Sequence, residues 1–229
     1  MDEGAARAAL VDAVSKLDAA GLNRNSSGNA SVRVGPALLV TPSGIPADDM
    51  GVGDLVLLGR DGRPVRDGQR VPTSEWRLHV HIAAARPDVA AIVHTHSPDA
   101  TAAATLGADL PAIHYVVARF GGRSLACAPY ATYGTAEVAD GVTRTLGADR
   151  SACLMANHGA ITVAADLGAA VGLAIDVEWF CGVVRRARAL GEAVVLPDDE
   201  IDRVAAKLTS YGQPAATDVT SEPVGPVNP

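Results

Sequence analysis

The polar and apolar positions of this chain change period several times, and each change marks an element. Between residues 5 and 20, Ala6, Leu10, Val14 and Leu17 recur at helical spacing, and Gly21 follows where a helix can stop. "NASVRV" (29–34) and "ALLVTP" (37–42) read instead as strands joined through Gly35-Pro36, and "DLVLLG" (54–59) as a third. A helix is predicted from a cap at Thr73 or Ser74 to about Arg86, with Pro87 ending it. The apolar run "VAAIV" (89–93) is short for a helix and continues as a strand into "HTHS". Further helices are expected near 98–106, over 135–147, from Asp166 to about Leu190 and over 198–210. "CLMANHGAITV" (153–163) divides into two short strands around Asn157-His158-Gly159. Residues 112–134, rich in Gly, Pro and Tyr, read as a long functional loop with short strands. Strand pairs with short turns alternate with helices, which predicts a mixed, partly antiparallel sheet covered by helices rather than a doubly wound parallel one. One domain over 1–211 is expected, followed by a flexible, Pro-rich tail over 212–229.

Composition narrows the partners. With 229 residues, 48% hydrophobic and only 3% aromatic, the core must be built from Ala, Val, Leu and Ile. The net charge of −7, without clustered Lys or Arg, argues against nucleic acid. Cys127, Cys153 and Cys181 are widely spaced with no CxxC, as in reduced thiols of a cytosolic protein. The start "MDEGAARAAL" lacks the basic flank and apolar stretch of a signal peptide, and no uncharged apolar run reaches the ~20 residues of a membrane helix. The expectation is a soluble, cytoplasmic protein with no membrane partner.

The candidate chemistry is concentrated in histidines. His94 and His96 lie two apart on the predicted strand, so both rings leave one face. Alone, such a pair is either a piece of a metal site or two polar residues at a strand end. His158, at the tight turn beside Gly159, is the candidate third ligand, with a carbonyl-bonded turn histidine as the alternative. His79 and His81 sit two apart on a helix and share no face, which suits structural or exposed roles. Glu75, in "PTSEW", either favours a helix dipole or enters a site as general base or fourth metal ligand. "SSGNAS" (26–31), "TPSGIP" (41–46) and "PTSEW" (72–76) are small, polar turns whose N–H groups and hydroxyls suit an anion.

"GNASVR", "TPSGIP", "PTSEWRLH", "VHTHS", "PAIHY", "CAPYATYGT" and "NHGAI" occur in this order, and together they resemble the class II aldolase/adducin family from about Arg7 to Tyr211. The resemblance implies a three-layer α-β-α sandwich, an α/β fold with a central mixed, largely antiparallel sheet. It implies one Zn2+ per subunit held by His94, His96 and His158, with Glu75 as fourth ligand and catalytic acid/base. Gly28, Asn29, Ser43, Gly44, Thr73 and Ser74 match the family's phosphate cradle. Tyr115 matches a tyrosine that reaches a neighbouring subunit's site to serve the aldehyde half, in a homotetramer with sites at subunit interfaces. Tyr133 and Tyr211 match aromatic positions near the substrate. The implied reaction is reversible cleavage of a ketose 1-phosphate, of the L-fuculose 1-phosphate type, to dihydroxyacetone phosphate and an aldehyde such as lactaldehyde. Other members epimerise pentulose phosphates or dehydrate methylthioribulose 1-phosphate, and adducin-type heads are binding domains without catalysis. Arg119 and Phe120 stand where the family's aldolases carry small residues, so the loop after Tyr115 is expected to shape the aldehyde pocket.

Overall fold

Strand β4 (Ala91–Thr95) is buried along its whole length because both faces of its sheet are covered. Ala91 and Val93 face one side, with Ala30 and Val32 of β1 (Asn29–Val34), against α1 (Glu3–Ala19) and α5 (Leu167–Leu190). Ile92 faces the other, with Cys153 and Met155 of β8 (Ala152–Met155) and Ile161 and Val163 of β9 (Gly159–Ala164). That side is covered by α2 (Trp76–Ala85) and α4 (Ala136–Leu146), through Leu78, Ile82, Val138 and Val142. With β2 (Ala37–Val40), β3 (Val56–Leu58) and β7 (Cys127–Ala128), the sheet has seven strands in the order β3-β2-β1-β4-β9-β8-β7. Among the described strands only β7 and β8 pair in parallel. The result is the expected α-β-α sandwich with a mixed, largely antiparallel sheet. A computed structural model describes residues 2–210, so Tyr211 and the tail over 212–229 lie outside the described residues.

The helix α3 (Pro98–Ala104), a 3-10 segment at Tyr115–Phe120, and α6 (Asp198–Leu208) close a second apolar cluster over α5. A small pair, β5 (Leu110–Pro111) with β6 (Ser124–Leu125), ties this end together. The loop expected over 112–134 therefore contains a 3-10 segment. Phe120 on it is fully buried with its ring 5.8 Å from Phe180, so it belongs to the core and not to a pocket wall. Arg119 pairs with Asp176 of α5 at 2.5 Å. By length and composition α5 is apolar enough to cross a membrane, yet 56% of its most apolar stretch is buried inside the protein. It packs on β4, β9, α1 and α3, and its apolarity is that of a core helix. Cys127, Cys153 and Cys181 are free thiols, the last two buried.

Candidate active site

Strand register builds the site. Asn29 and His94 stand directly opposite each other across β1 and β4. On the other edge of β4, Thr95 pairs with Ala160, so His158, one residue ahead of β9, arrives beside His96. Asn157 makes that delivery with a left-handed φ of 54°, a conformation asparagine tolerates better than most residues. Gly159 is required by contact: a Cβ there would lie 2.3 Å from Thr95 O and 3.1 Å from the His96 ring. Alanine at Gly159 is expected to cost about 1–3 kcal/mol of stability by overpacking and to weaken metal binding by displacing His96. Thermal unfolding and metal titration check this, and an unchanged Tm would rule out the close approach.

The fourth element is the entry to α2. Glu75 occupies the N-cap position with φ −100° and makes no capping bond with its side chain. The helix therefore begins later than a cap at Thr73 or Ser74 would give, and the Glu75 side chain bonds none of its first N–H groups. Thr73 Oγ1 instead accepts from Glu75 N at 3.3 Å, and the carboxylate turns inward, 5% exposed. It accepts from Asn29 Nδ2 at 2.9 Å and lies 3.1 Å from His94 Nε2 and 3.3 Å from His158 Nε2.

These donors fit a metal ion. His94 Nδ1 lies 2.9 Å from the Ala160 carbonyl, which can only accept, so Nδ1 carries the proton and Nε2 offers its lone pair to the centre. His94 Nε2 and His96 Nε2 stand 2.8 Å apart. Two nitrogens and a carboxylate converge so closely only around a proton or a cation. One ligand atom from each of Glu75, His94, His96 and His158 lies within 4.8 Å of the others, and the 2.8, 3.1 and 3.3 Å separations among them are close to the ~3.3 Å ligand spacing around a tetrahedral ion with ~2.05 Å bonds. Glu75 Oε1 is buried without a hydrogen-bond partner, as a ligand atom would be without its ion.

Electrostatics agree. Burial, with His94 alongside, pulls His96 and His158 down to about 4, leaving both rings neutral as ligands must be. For Glu75, burial pushes the pKa up, but His94, His158 and the Asn29 amide together outweigh it and hold the carboxyl well below its usual range. For His94, burial opposes the charge, but the Glu75 carboxylate overcomes it and raises the pKa.

Over the cluster lies a pocket of about 460 Å³. Gly28 and Asn29, Ser43 and Gly44, and Thr73 and Ser74 line it, from three separate turns. Paired N–H groups bind the second and third turns together: Ser43 N donates to Val71 O at 2.9 Å and Thr73 N to Thr41 O at 3.0 Å. Ser43 and Thr73 therefore offer hydroxyls, not N–H groups, to a ligand. Gly28 has a φ of 75°, and a Cβ there would meet Asn23 Oδ1 at 2.2 Å, so a side chain at this turn would be strained and would displace Asn23. Among the described residues no Lys or Arg lines the pocket. An anion held here depends on neutral donors and on whatever positive charge the Glu75/histidine cluster carries.

The structure thus brings together Glu75, His94, His96, His158 and all six cradle residues, and places Tyr133 at the pocket rim. Tyr115 does not line the pocket of its own chain; it is 54% exposed and stacks on His114, with ring centroids 4.4 Å apart. Tyr130 and Asn157 also line the pocket, although their motifs alone did not single them out. His79, expected to be structural or exposed, is structural: it is fully buried and bonded to Asn29. His81, with a ring nitrogen 2.8 Å from Asp140, stays outside the site.

Residues 8–184 match the model of the class II aldolase and adducin N-terminal domain. The chain belongs to that family. It is 43% identical over 211 residues to a 5-methylthioribulose-1-phosphate/5-deoxyribulose-1-phosphate aldolase of Rhodospirillum rubrum, covering 92% of this chain and 94% of that protein. It is 38% identical over 204 residues to the L-fuculose phosphate aldolase of Escherichia coli strain K12, covering 89% and 94%. A solved L-fuculose 1-phosphate aldolase superposes with a TM-score of 0.85 at 36% identity, covering 89% of this chain and 96% of that one.

Proposed function

We propose that this protein is a zinc-dependent aldolase that reversibly cleaves a ketose 1-phosphate between C3 and C4, giving dihydroxyacetone phosphate and an aldehyde. The observation that carries the reading is the meeting, in one pocket, of a cation-free cradle of small polar turns with the Glu75/His94/His96/His158 cluster. The cradle donors hold the phosphate and orient the sugar across the cluster. A bound zinc ion supplies Lewis-acid stabilisation of the negative charge on the donor half. Glu75, ionised and aimed at the same point, moves the proton at the donor carbon and stands as fourth ligand when substrate is absent. No lysine Schiff base is involved, since Lys16 and Lys207 lie on α1 and α6 and neither lines the pocket.

Tyr115, exposed and outside its own pocket, suits a homotetramer in which it reaches a neighbouring subunit's site and handles the proton of the aldehyde-derived oxygen. Tyr133 flanks the substrate in this reading, and Tyr211 joins it by motif position alone. Fuculose 1-phosphate, 5-deoxyribulose 1-phosphate and 5-methylthioribulose 1-phosphate share the phosphorylated half and differ in the aldehyde. The test is a cleavage assay on these three sugars with zinc, manganese or cobalt, detecting dihydroxyacetone phosphate. Cleavage that a chelator abolishes and zinc restores is the expected result, and the best sugar names the aldehyde. Metal-loaded protein that epimerises or dehydrates these or related substrates without releasing dihydroxyacetone phosphate would overturn it.

A further inference from the structure

Glu75 is held at the end of a buried polar chain that starts on the sheet. Asn29 Nδ2 donates to Glu75 Oε2 at 2.9 Å; Asn29 Oδ1 lies 2.5 Å from His79 Nε2; His79 Nδ1 lies 2.7 Å from Ser31 Oγ. Asn29 and Ser31 are alternate residues of β1 and face α2, where His79 stands one turn beyond Glu75. Ser31 and His79 are fully buried, and Asn29 and Glu75 nearly so. The donors can be ordered from the carboxylate inward. A carboxylate only accepts, so Asn29 presents its NH2 to Glu75. The amide oxygen also only accepts, so His79 Nε2 carries the proton. Nδ1 is then bare, and the Ser31 hydroxyl donates into it. Burial keeps the His79 ring neutral, with its pKa pulled down to about 3.

We propose that His79 is a positioning residue: its Nε2–H tautomer, set by Ser31, fixes the orientation of the Asn29 amide and through it the rotamer of Glu75. A flipped Asn29 would point its oxygen at the carboxylate and its NH2 at a donor, and both bonds would fail. The same lock leaves the second N–H of Asn29 as the only group that side chain can offer the pocket, which suits an oxygen-rich, anionic ligand. The inference rests on the reading of Glu75 as metal ligand and base, and extends it to a residue that touches neither metal nor substrate.

The experiment compares wild type with His79→Leu, His79→Gln and His79→Asn. Zinc affinity is measured by chelator competition, alongside Tm and cleavage rate. A buried partner of a metal ligand typically accounts for about 10–100-fold in metal affinity or activity; His79 acts one link further out, through Asn29, so His79→Leu should lose about 10-fold in zinc affinity, the low end of that range. Gln, whose amide nitrogen falls near the place of Nε2, should recover most of it; Asn, which reaches only toward Ser31, should not. Ser31→Ala removes only the hydroxyl that donates to His79 Nδ1; it should lower zinc affinity less than His79→Leu, lower Tm by leaving that nitrogen unsatisfied, and carry the test if His79→Leu does not fold. Unchanged zinc affinity in every folded variant, or Gln no better than Leu, overturns the proposal. Variants that behave as expected in a protein that cleaves no ketose phosphate would sink the aldolase reading and leave the positioning role standing. A wild type that takes up no zinc would sink both.

Discussion

Glu75→Gln is expected to lower C3–C4 cleavage by about 10²–10⁴-fold, the usual contribution of a positioned acid/base, in a protein that still folds and still binds metal. Glutamine has the same shape, and its carbonyl oxygen can accept from Asn29 Nδ2 as Oε2 does at 2.9 Å. What disappears is the proton-accepting lone pair and the negative charge beside His94 and His158. The three histidines remain, and three protein ligands are the ordinary complement of a catalytic zinc site. The pH dependence of stability should change as well. The folded pKa of Glu75 is depressed, so its stabilisation is present above the unfolded value near 4.5 and is lost as pH falls through the folded value. Glu75→Gln should therefore flatten the acid limb of the stability profile of the metal-free protein. Cleavage rate, metal content and acid unfolding are the measurements; a metal-loaded variant cleaving at the wild-type rate would remove Glu75 from the chemistry.

The second large effect is expected at His94. Four-ligand structural zinc sites supply ~10–16 kcal/mol, so losing one ligand should weaken metal binding by about 10²–10³-fold. His94→Ala should do this and also lower stability, because the fully buried Ala160 carbonyl side of the strand pair loses its imidazole donor and a cavity opens in β4. An unsatisfied buried partner costs about 1–3 kcal/mol. His96→Ala is the informative comparison. His96 lies past the end of β4 and is only partly buried, so its removal should weaken the metal similarly with little change in Tm. Metal titration and thermal unfolding of the two variants separate ligand loss from strand damage. Wild-type metal affinity in His94→Ala would exclude it as a ligand.

Much of this site is written locally. Two histidines two apart behind an apolar run, and a third in a tight turn before another, are period-two features that survive without tertiary information. What the chain does not display is the convergence of its three small polar turns. That depends on strand order, which places β1 between β2 and β4, and on the ladder between residues 41–43 and 71–73. "NASVRV" alternates polar and apolar as a half-exposed strand does, yet Asn29 and Ser31 are buried because α2 lies over them. Likewise His79 and His81 look equivalent in "WRLHVH", and only the packing of α2 on the sheet makes one a buried link to Asn29 and the other a surface partner of Asp140. Phe120 is expected near the aldehyde pocket and lies in the core instead, because a 3-10 segment lacks a hydrophobic period long enough to show which of its residues turn inward. Glu75 was legible as a candidate, but its place at the N-cap, turned away from its own helix, is a consequence of the partners waiting on β1, β4 and the His158 turn.

The position of β4 has a consequence for how the chain comes to be folded at all. Its pairings, His94 with Asn29 on one side and with Ile161 on the other, join segments far apart in sequence. Contacts of such long range carry a large loop-closure cost and are made late and slowly. During synthesis β1, β2 and β4 emerge well before β9, and until β9 arrives β4 presents an unpaired, apolar edge in what becomes the middle of the sheet. Such an edge is a template for association with other nascent chains. The segment that brings His158 is the one that closes it, so the chain covers that edge and completes the Glu75/His94/His96/His158 cluster in the same late step.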